Sequence, residues 1–157
     1  MTTAIYAGSF DPFTLGHLDI VKSGAEIFDK VIIGVTYNIE KKGLIPIEDR
    51  VSLIKDAVKT IPNVEVFSYD GLTVNFAREK NAGVLLRGLR NSADFEYEKE
   101  LAQVNEKLND NIKTVFLMAK PEHSFISSSA VRELVSLKSD ISDFVPENVI
   151  KYLCKDM

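Results

Sequence analysis

The chain has 157 residues, 45% of them hydrophobic and 27% charged, and carries a net charge of −4. That length holds one domain with a sizeable core, the acidic excess argues against bulk attraction to nucleic acid, and no apolar run reaches membrane-spanning length. The N-terminus has no basic segment followed by a long apolar stretch, so no secretory signal is read, and the lone Cys154 cannot form an internal disulfide, which fits a reducing compartment.

Thr3 to Ala7 is a short apolar run and reads as a buried first strand, ended by Gly8. A turn-rich loop through Ser9, Asp11, Pro12 and Thr14 leads to a helix beginning near Gly16–His17, with Leu18, Val21, Ala25 and Phe28 on one face. A strand, a glycine-bearing loop and a helix N-terminus together form the junction at which α/β folds bind phosphate, because the first helical turn offers unpaired N–H groups and a partial positive charge. Neither Gly-x-Gly-x-x-Gly nor Gly-x-x-x-x-Gly-Lys-Ser/Thr occurs there. Taken alone, His17 is equally a helix-start residue without chemistry.

Lys30 to Tyr37 is β-branched and apolar and predicts a second strand buried on both faces. The charged loop Asn38 to Gly43 follows at its carboxyl end, which places Lys41 and Lys42 to meet an anion; alone, they also suit a solvated pair. Ile47 to Thr60 reads as a helix whose apolar face, with a charged edge, runs through Val51, Ile54, Lys55 and Val58, stopped by Pro62. Val64 to Tyr69 is a third strand, Leu72 to Lys80 a helix, and Val84 to Leu86 a short fourth strand.

That strand runs into Arg87-Gly88-Leu89-Arg90, and arginine offers a planar, permanently charged fork suited to phosphate. The other reading is surface arginines paired with Asp94 or Glu96. A helix from Ser92 to about Leu108 follows, with acids in its early turns that suit the helix dipole. Thr114 to Met118 is the fifth strand, and Ala119 to Phe125 leads into Ile126 and the serines 127–129, which cap a helix and can also bind phosphate. A last helix runs from Pro146 to Cys154, with Pro146 at the first helical position. The alternation predicts an α/β fold, a Rossmann-like doubly wound five-stranded parallel sheet in a single domain spanning residues 1–157. Four strand ends then bring Ser9 and His17, Lys41, Arg87 and Arg90, and the serine run to one rim.

The element Thr14-Leu15-Gly16-His17 after the first strand resembles the signature of the nucleotidylyltransferase superfamily. Over its whole length the chain resembles the bacterial phosphopantetheine adenylyltransferases. The residues that carry this are Tyr6 to Pro12, Gly16-His17, Asn75 to Arg78, Leu86 to Arg90, Asp94 to Glu98 and Ser124 to Ser129. The resemblance implies adenylyl transfer from ATP to 4′-phosphopantetheine, giving dephospho-coenzyme A and pyrophosphate, with Mg2+, in a cytoplasmic homohexamer. It implies ATP contacts at Ser9, Phe10, His17, Gly88, Leu89, Arg90, Glu98, His123, Ser124, Phe125, Ile126, Ser127, Ser128 and Ser129. It implies phosphopantetheine contacts at Ser9, Lys41, Thr73 and Arg87. His17 would stabilise the transition state, assisted by Lys41 and Arg90. Three positions vary within the family pattern: Ser9 stands where threonine also occurs, His123 where tryptophan does, and Thr73 where methionine does.

The nucleophile in such a reaction is a phosphate already largely ionised at neutral pH, so no general base is needed, and no serine–histidine–acid triad stands out. Nor does an acidic cluster with metal-ligand spacing, so Mg2+ is expected mainly on the triphosphate. Related transferases with nicotinate mononucleotide or cytidylyl acceptors, and a nucleotide sensor without turnover, are the competing readings. The block from Arg87 to Glu98 argues against the other acceptors. A sensor gives no purpose to His17 and Lys41.

Overall fold

Alternation along the strands decides the layers. The computed structural model describes residues 1–37 and 42–155. Five parallel strands, β1 (Thr3–Gly8), β2 (Lys30–Thr36), β3 (Val64–Tyr69), β4 (Val84–Leu89) and β5 (Lys113–Met118), form one sheet in the order β3-β2-β1-β4-β5. Successive side chains of a strand point to opposite faces. Ala4 and Tyr6 of β1, Val31, Ile33 and Val35 of β2 and Leu86 of β4 therefore share one core. Ile5 and Ala7, Ile32 and Leu85 share the other. Burial on both faces explains why the central strands read as continuous apolar runs.

Helices α1 (Leu15–Ile27) and α2 (Ile47–Ala57) cover the first face through Ile20, Val21 and Ile54. On the second face, α3 (Thr73–Glu79) contributes Val74, Phe76 and Ala77. The approach of α3 is set by Gly34, where an added Cβ would stand 2.8 Å from both the Phe76 and Tyr69 rings. Those two rings stack at 4.2 Å. A third cluster, Ile126, Val131, Ile141, Val145 and Val149, lies under α5 (Ser128–Ser136) and α6 (Glu147–Leu153). The remaining helix, α4 (Ser92–Leu108), has Glu98 as its one buried residue among those described.

The doubly wound parallel sheet matches the expectation, but several details differ. β4 continues through Arg87 to Leu89, because Arg87 and Leu89 keep their places opposite Phe116 and Met118 of β5 even though the apolar run ends at Leu86. The buried residues of α1 are Asp19, Ile20, Val21 and Gly24. Gly24 rather than Ala25 meets the sheet, since its Cβ would fall 2.7 Å from Leu86. α2 stops at Ala57, short of Thr60. Pro146 caps α6 from outside instead of occupying its first turn. A 3-10 turn, Pro121–His123, lies within what reads in sequence as plain loop.

The strand order reverses at β1, which β2 and β4 flank: Tyr6 pairs with Ile33 of β2 on one side and with Leu86 of β4 on the other. In open α/β sheets, the crevice beyond the carboxyl ends at such a reversal is where ligands sit.

Candidate active site

The loop after β1 is built around an aromatic side chain turned back on its own strand. Phe10 has φ +48°, an uncommon left-handed value for a residue with a side chain. Its ring is 3% exposed and folds over Gly8, where a Cβ would lie 3.1 Å from the ring edge. His17 stands edge-on to Phe10 with centroids 4.9 Å apart, and stacks on Phe13 at 5.6 Å.

The start of α1 fixes the imidazole chemically as well as sterically. Thr14 is the N-cap: its hydroxyl accepts the His17 backbone N–H at 3.2 Å, and its own N–H donates to His17 Nδ1 at 3.0 Å. A ring nitrogen that accepts a backbone N–H carries no proton, so the neutral ring has its hydrogen on Nε2. Burial, then the positive charges of Arg90 and Arg87, push the His17 pKa down to about 3. At neutral pH the side chain is an uncharged N–H donor.

The end of β4 supplies both arginines. Arg87 grips Glu98 through two bonds, Nε to Oε2 at 2.8 Å and Nη2 to Oε1 at 2.7 Å, and donates from Nη1 to the Ala7 carbonyl at 2.7 Å. This explains the burial of Glu98, since a buried carboxylate needs a partner. Arg90 binds Asp94 through Nε at 3.0 Å and reaches across to the Ile126 carbonyl through Nη1 at 3.1 Å. Burial raises the Asp94 pKa, and the bonds from the Arg90 side chain and backbone outweigh it and hold the carboxyl below its usual range. Both arginines therefore form ion pairs, Arg90 with Asp94 as the sequence allows and Arg87 with Glu98, while Glu96 pairs with Lys99.

Beyond β5, the serines divide their hydroxyls among structural partners. Ser127 caps α5 by accepting the Ala130 N–H at 3.1 Å, Ser128 donates to the Pro12 carbonyl at 2.9 Å, and Ser129 accepts from Arg132 at 3.0 Å. The first-turn N–H groups of Ser128 and Ser129 have no intrahelical partner and point out of the helix end.

These three junctions enclose a cleft of about 310 Å³. Ser9, Phe10 and His17 line it from the first loop, Arg87, Gly88, Arg90 and Glu98 from β4 and α4, and His123, Ile126, Ser127 and Ser128 from the third junction. Five of the expected residues stand off its lining. Leu89 is 7% exposed in the core. Thr73 bonds the Tyr69 hydroxyl at 2.8 Å. Ser124 donates to the Pro121 carbonyl. Phe125 lies edge-on to Phe144. Ser129 holds Arg132. Lys41 lies outside the described residues. Among those described, no group of three or more His, Cys, Asp or Glu residues is placed to hold a metal ion.

The family described as Cytidylyltransferase-like matches residues 5–134. A phosphopantetheine adenylyltransferase of Clostridium tetani is 46% identical over 99% of this chain and 97% of its own. One of Lachnoclostridium phytofermentans is 50% identical over 98% of this chain and 94% of its own. The chain belongs to the phosphopantetheine adenylyltransferase family. A solved structure from Vibrio parahaemolyticus, described as a nicotinate-nucleotide adenylyltransferase, superposes with TM-score 0.74 at 19% identity, covering 99% of this chain and 93% of that one, a likeness of fold.

In this phosphopantetheine adenylyltransferase-family chain, sequence reasoning missed several residues that shape the cleft. Tyr6, Ile20, Asp94 and Ala119 also line it. Asp94 carries a signal in the sequence, four residues after Arg90 at a helix start. Arg50 gives none. It reads as an exposed helical charge, yet it is 8% exposed and donates to the carbonyls of Ser9 at 2.7 Å and Ile45 at 2.9 Å. Asp11 complements it by accepting the N–H groups of Leu44 and Ile45, each at 2.8 Å. Together they brace the first loop from beneath.

Proposed function

We propose that the protein transfers the adenylyl group of ATP to 4′-phosphopantetheine, producing dephospho-coenzyme A and pyrophosphate. The observation that carries this reading is a near-full-length identity of 46–50% to relatives of that name. The chemistry of the cleft agrees with it.

The reaction brings two polyanions together, so positioning and charge stabilisation supply most of the rate. The phosphate of the acceptor, with a second pKa near 6, is ionised at neutral pH and attacks the α-phosphorus directly. Pyrophosphate leaves on the opposite side. His17 donates from Nε2 to an oxygen on the α-phosphorus as negative charge builds there. Because the ring is neutral, it gains or loses no proton in the step. Arg90 keeps two N–H groups beyond its bonds to Asp94 and Ile126, and these face the same charge. The N–H groups at the start of α5 receive the departing phosphates. Arg87 and Ser9 meet the incoming phosphate, a role the family resemblance also gives to Lys41.

Mg2+ would arrive with the triphosphate it neutralises. The cleft acids Asp94 and Glu98 are already committed to Arg90 and Arg87, so the protein's share is to bind the phosphates around the ion rather than to ligate it.

No helix among the described residues is long and apolar enough to cross a membrane. A cytoplasmic setting suits an enzyme that consumes ATP. Self-association is supported by the apolar side chains that α4 leaves uncovered, Phe95, Tyr97, Val104 and Leu108, each at least 42% exposed, and the family resemblance implies that the assembly is a homohexamer. Sedimentation shows a hexamer on this reading; a monomer at all concentrations contradicts it.

Pyrophosphate release tests the function itself. Turnover with ATP and phosphopantetheine, and none with nicotinate mononucleotide, is the expected result. The reverse preference, or no turnover with either acceptor, overturns it.

A further inference from the structure

Asp19 is a buried acid for which the reaction above has no use. It lies on α1, just past His17, and is 7% exposed. A carboxylate removed from water requires partners, and the partners of Asp19 come from the opposite wall of the cleft. Oδ2 bonds Nδ1 of His123, and Oδ1 lies 3.9 Å from the Lys120 ammonium. An ionised carboxylate only accepts, so the His123 proton on Nδ1 points at Asp19 and the ring has one orientation.

A second contact joins the same two walls. A Cβ on Gly16 would stand 3.6 Å from the His123 carbonyl, so the turn bearing His123 lies directly on the first turn of α1. That carbonyl also accepts the Ile126 N–H at 3.1 Å, which ties His123 to the segment running into Ser127. His123 and Ile126 both line the cleft. The turn bearing His123 is thus held against α1 where Asp19 meets His123, while the helix start beyond it is tied to the first loop by the Ser128–Pro12 bond.

We propose that Asp19 is a positioning residue for the nucleotide: by holding the His123 ring, it fixes the wall from His123 to Ser128 against α1 and so presets the cleft for ATP. This rests on the adenylyl-transfer reading above. It predicts an effect confined to one substrate, because the acceptor phosphate is met by Ser9, Arg87 and Lys41 from other elements. A contact that serves stability alone would lower the melting temperature without separating the two substrates.

The experiment measures pyrophosphate release with each substrate varied in turn, for wild type, Asp19→Ala, Asp19→Asn, His123→Gln and the Asp19→Ala/His123→Gln double variant. Asp19→Ala raises KM for ATP about tenfold and leaves KM for phosphopantetheine within about twofold. His123→Gln gives the same ATP effect, and the double variant is no worse than either single one. Asp19→Asn keeps an acceptor oxygen and recovers most of the loss. Equal rises in both KM values, additive effects in the double variant, or an unchanged KM for ATP each overturn the proposal. If Asp19→Ala does not fold, His123→Gln decides alone, since that side chain is 23% exposed; a normal KM for ATP in it counts against the pair. Wild type separates the two levels. Its failure to release pyrophosphate removes the adenylyl-transfer reading and this proposal with it, whereas normal wild-type turnover with unaffected variants removes only the role of Asp19.

Discussion

The backbone N–H of Thr14 donates to Nδ1 of His17, and this one bond of 3.0 Å decides which ring nitrogen faces the cleft with a proton. With Nδ1 occupied, Nε2–H is the donor. Loss of such a donor from a phosphoryl-transfer site costs about 3–4 kcal/mol in the transition state. His17→Ala therefore lowers kcat by about two orders of magnitude or more, while stability changes by about 1 kcal/mol through the lost cap contact. Steady-state pyrophosphate release and thermal melting measure the two. Retained turnover would exclude His17 from the chemistry.

The low pKa of His17 makes a separate prediction about the pH–rate profile. A group at about 3 cannot produce an acid limb near pH 6. The limb near that pH belongs to the phosphate of the acceptor. It keeps its midpoint in His17→Gln, although the plateau falls. A shift of the midpoint in that variant would mean that the imidazole titrates during catalysis.

The same group governs acid stability. Its folded pKa of about 3 lies below the 6.5 of the unfolded chain, so between those values the unfolded state binds the extra proton. Protonation of His17 has no effect on stability above pH 6.5, and stability falls with it as pH drops from there toward 3. At pH 5 the loss is about 1–2 kcal/mol, allowing for the partial exposure of the ring. Denaturant midpoints measured from pH 7 to pH 5 fall less in His17→Gln than in wild type.

Arg90 and Asp94 divide their roles differently. Their ion pair is partly exposed, so it contributes under about 1 kcal/mol to stability. Its value lies in orientation, since it holds the guanidinium between Asp94 and the Ile126 carbonyl. Arg90→Ala lowers kcat/KM about 100-fold, and Asp94→Ala, which frees the arginine without removing it, lowers it about tenfold. Both variants melt within a few degrees of wild type.

Gly34 tests the packing that carries the sheet. A methyl group there meets the stacked Phe76 and Tyr69 rings at 2.8 Å, with core on every side. Gly34→Ala destabilises by about 1–3 kcal/mol through overpacking, read as a lower denaturant midpoint. Activity per folded molecule at 25 °C stays close to wild type, because no residue of β2 lines the cleft and the added methyl faces the Phe76 and Tyr69 rings.

The strands were legible in the sequence because parallel strands buried on both faces show as β-branched runs, as in Val31 to Val35. The junctions were legible because Gly16-His17, Arg87-Gly88-Leu89-Arg90 and the serines are concentrated where strands end. What stayed hidden depends on contacts between distant residues. Arg50 looks like any helical cation until the carbonyls of Ser9 and Ile45 surround it. Asp19 looks like a surface acid until His123, 104 residues away, closes on it. The extension of β4 past Leu86 is dictated by pairing with β5, not by hydropathy. The positive φ of Phe10 follows from ring packing against Gly8 and His17, for which the local sequence has no marker.

The central claim is that the rim over the β1–β4 reversal is where the adenylyl group changes hands. A crystal structure with a non-hydrolysable ATP analogue tests it most directly. The account predicts the α-phosphate within hydrogen-bonding distance of His17 Nε2 and Arg90, with the β- and γ-phosphates at the N–H groups of Ser128 and Ser129. Triphosphate bound away from all three, on another surface of the protein, would contradict it.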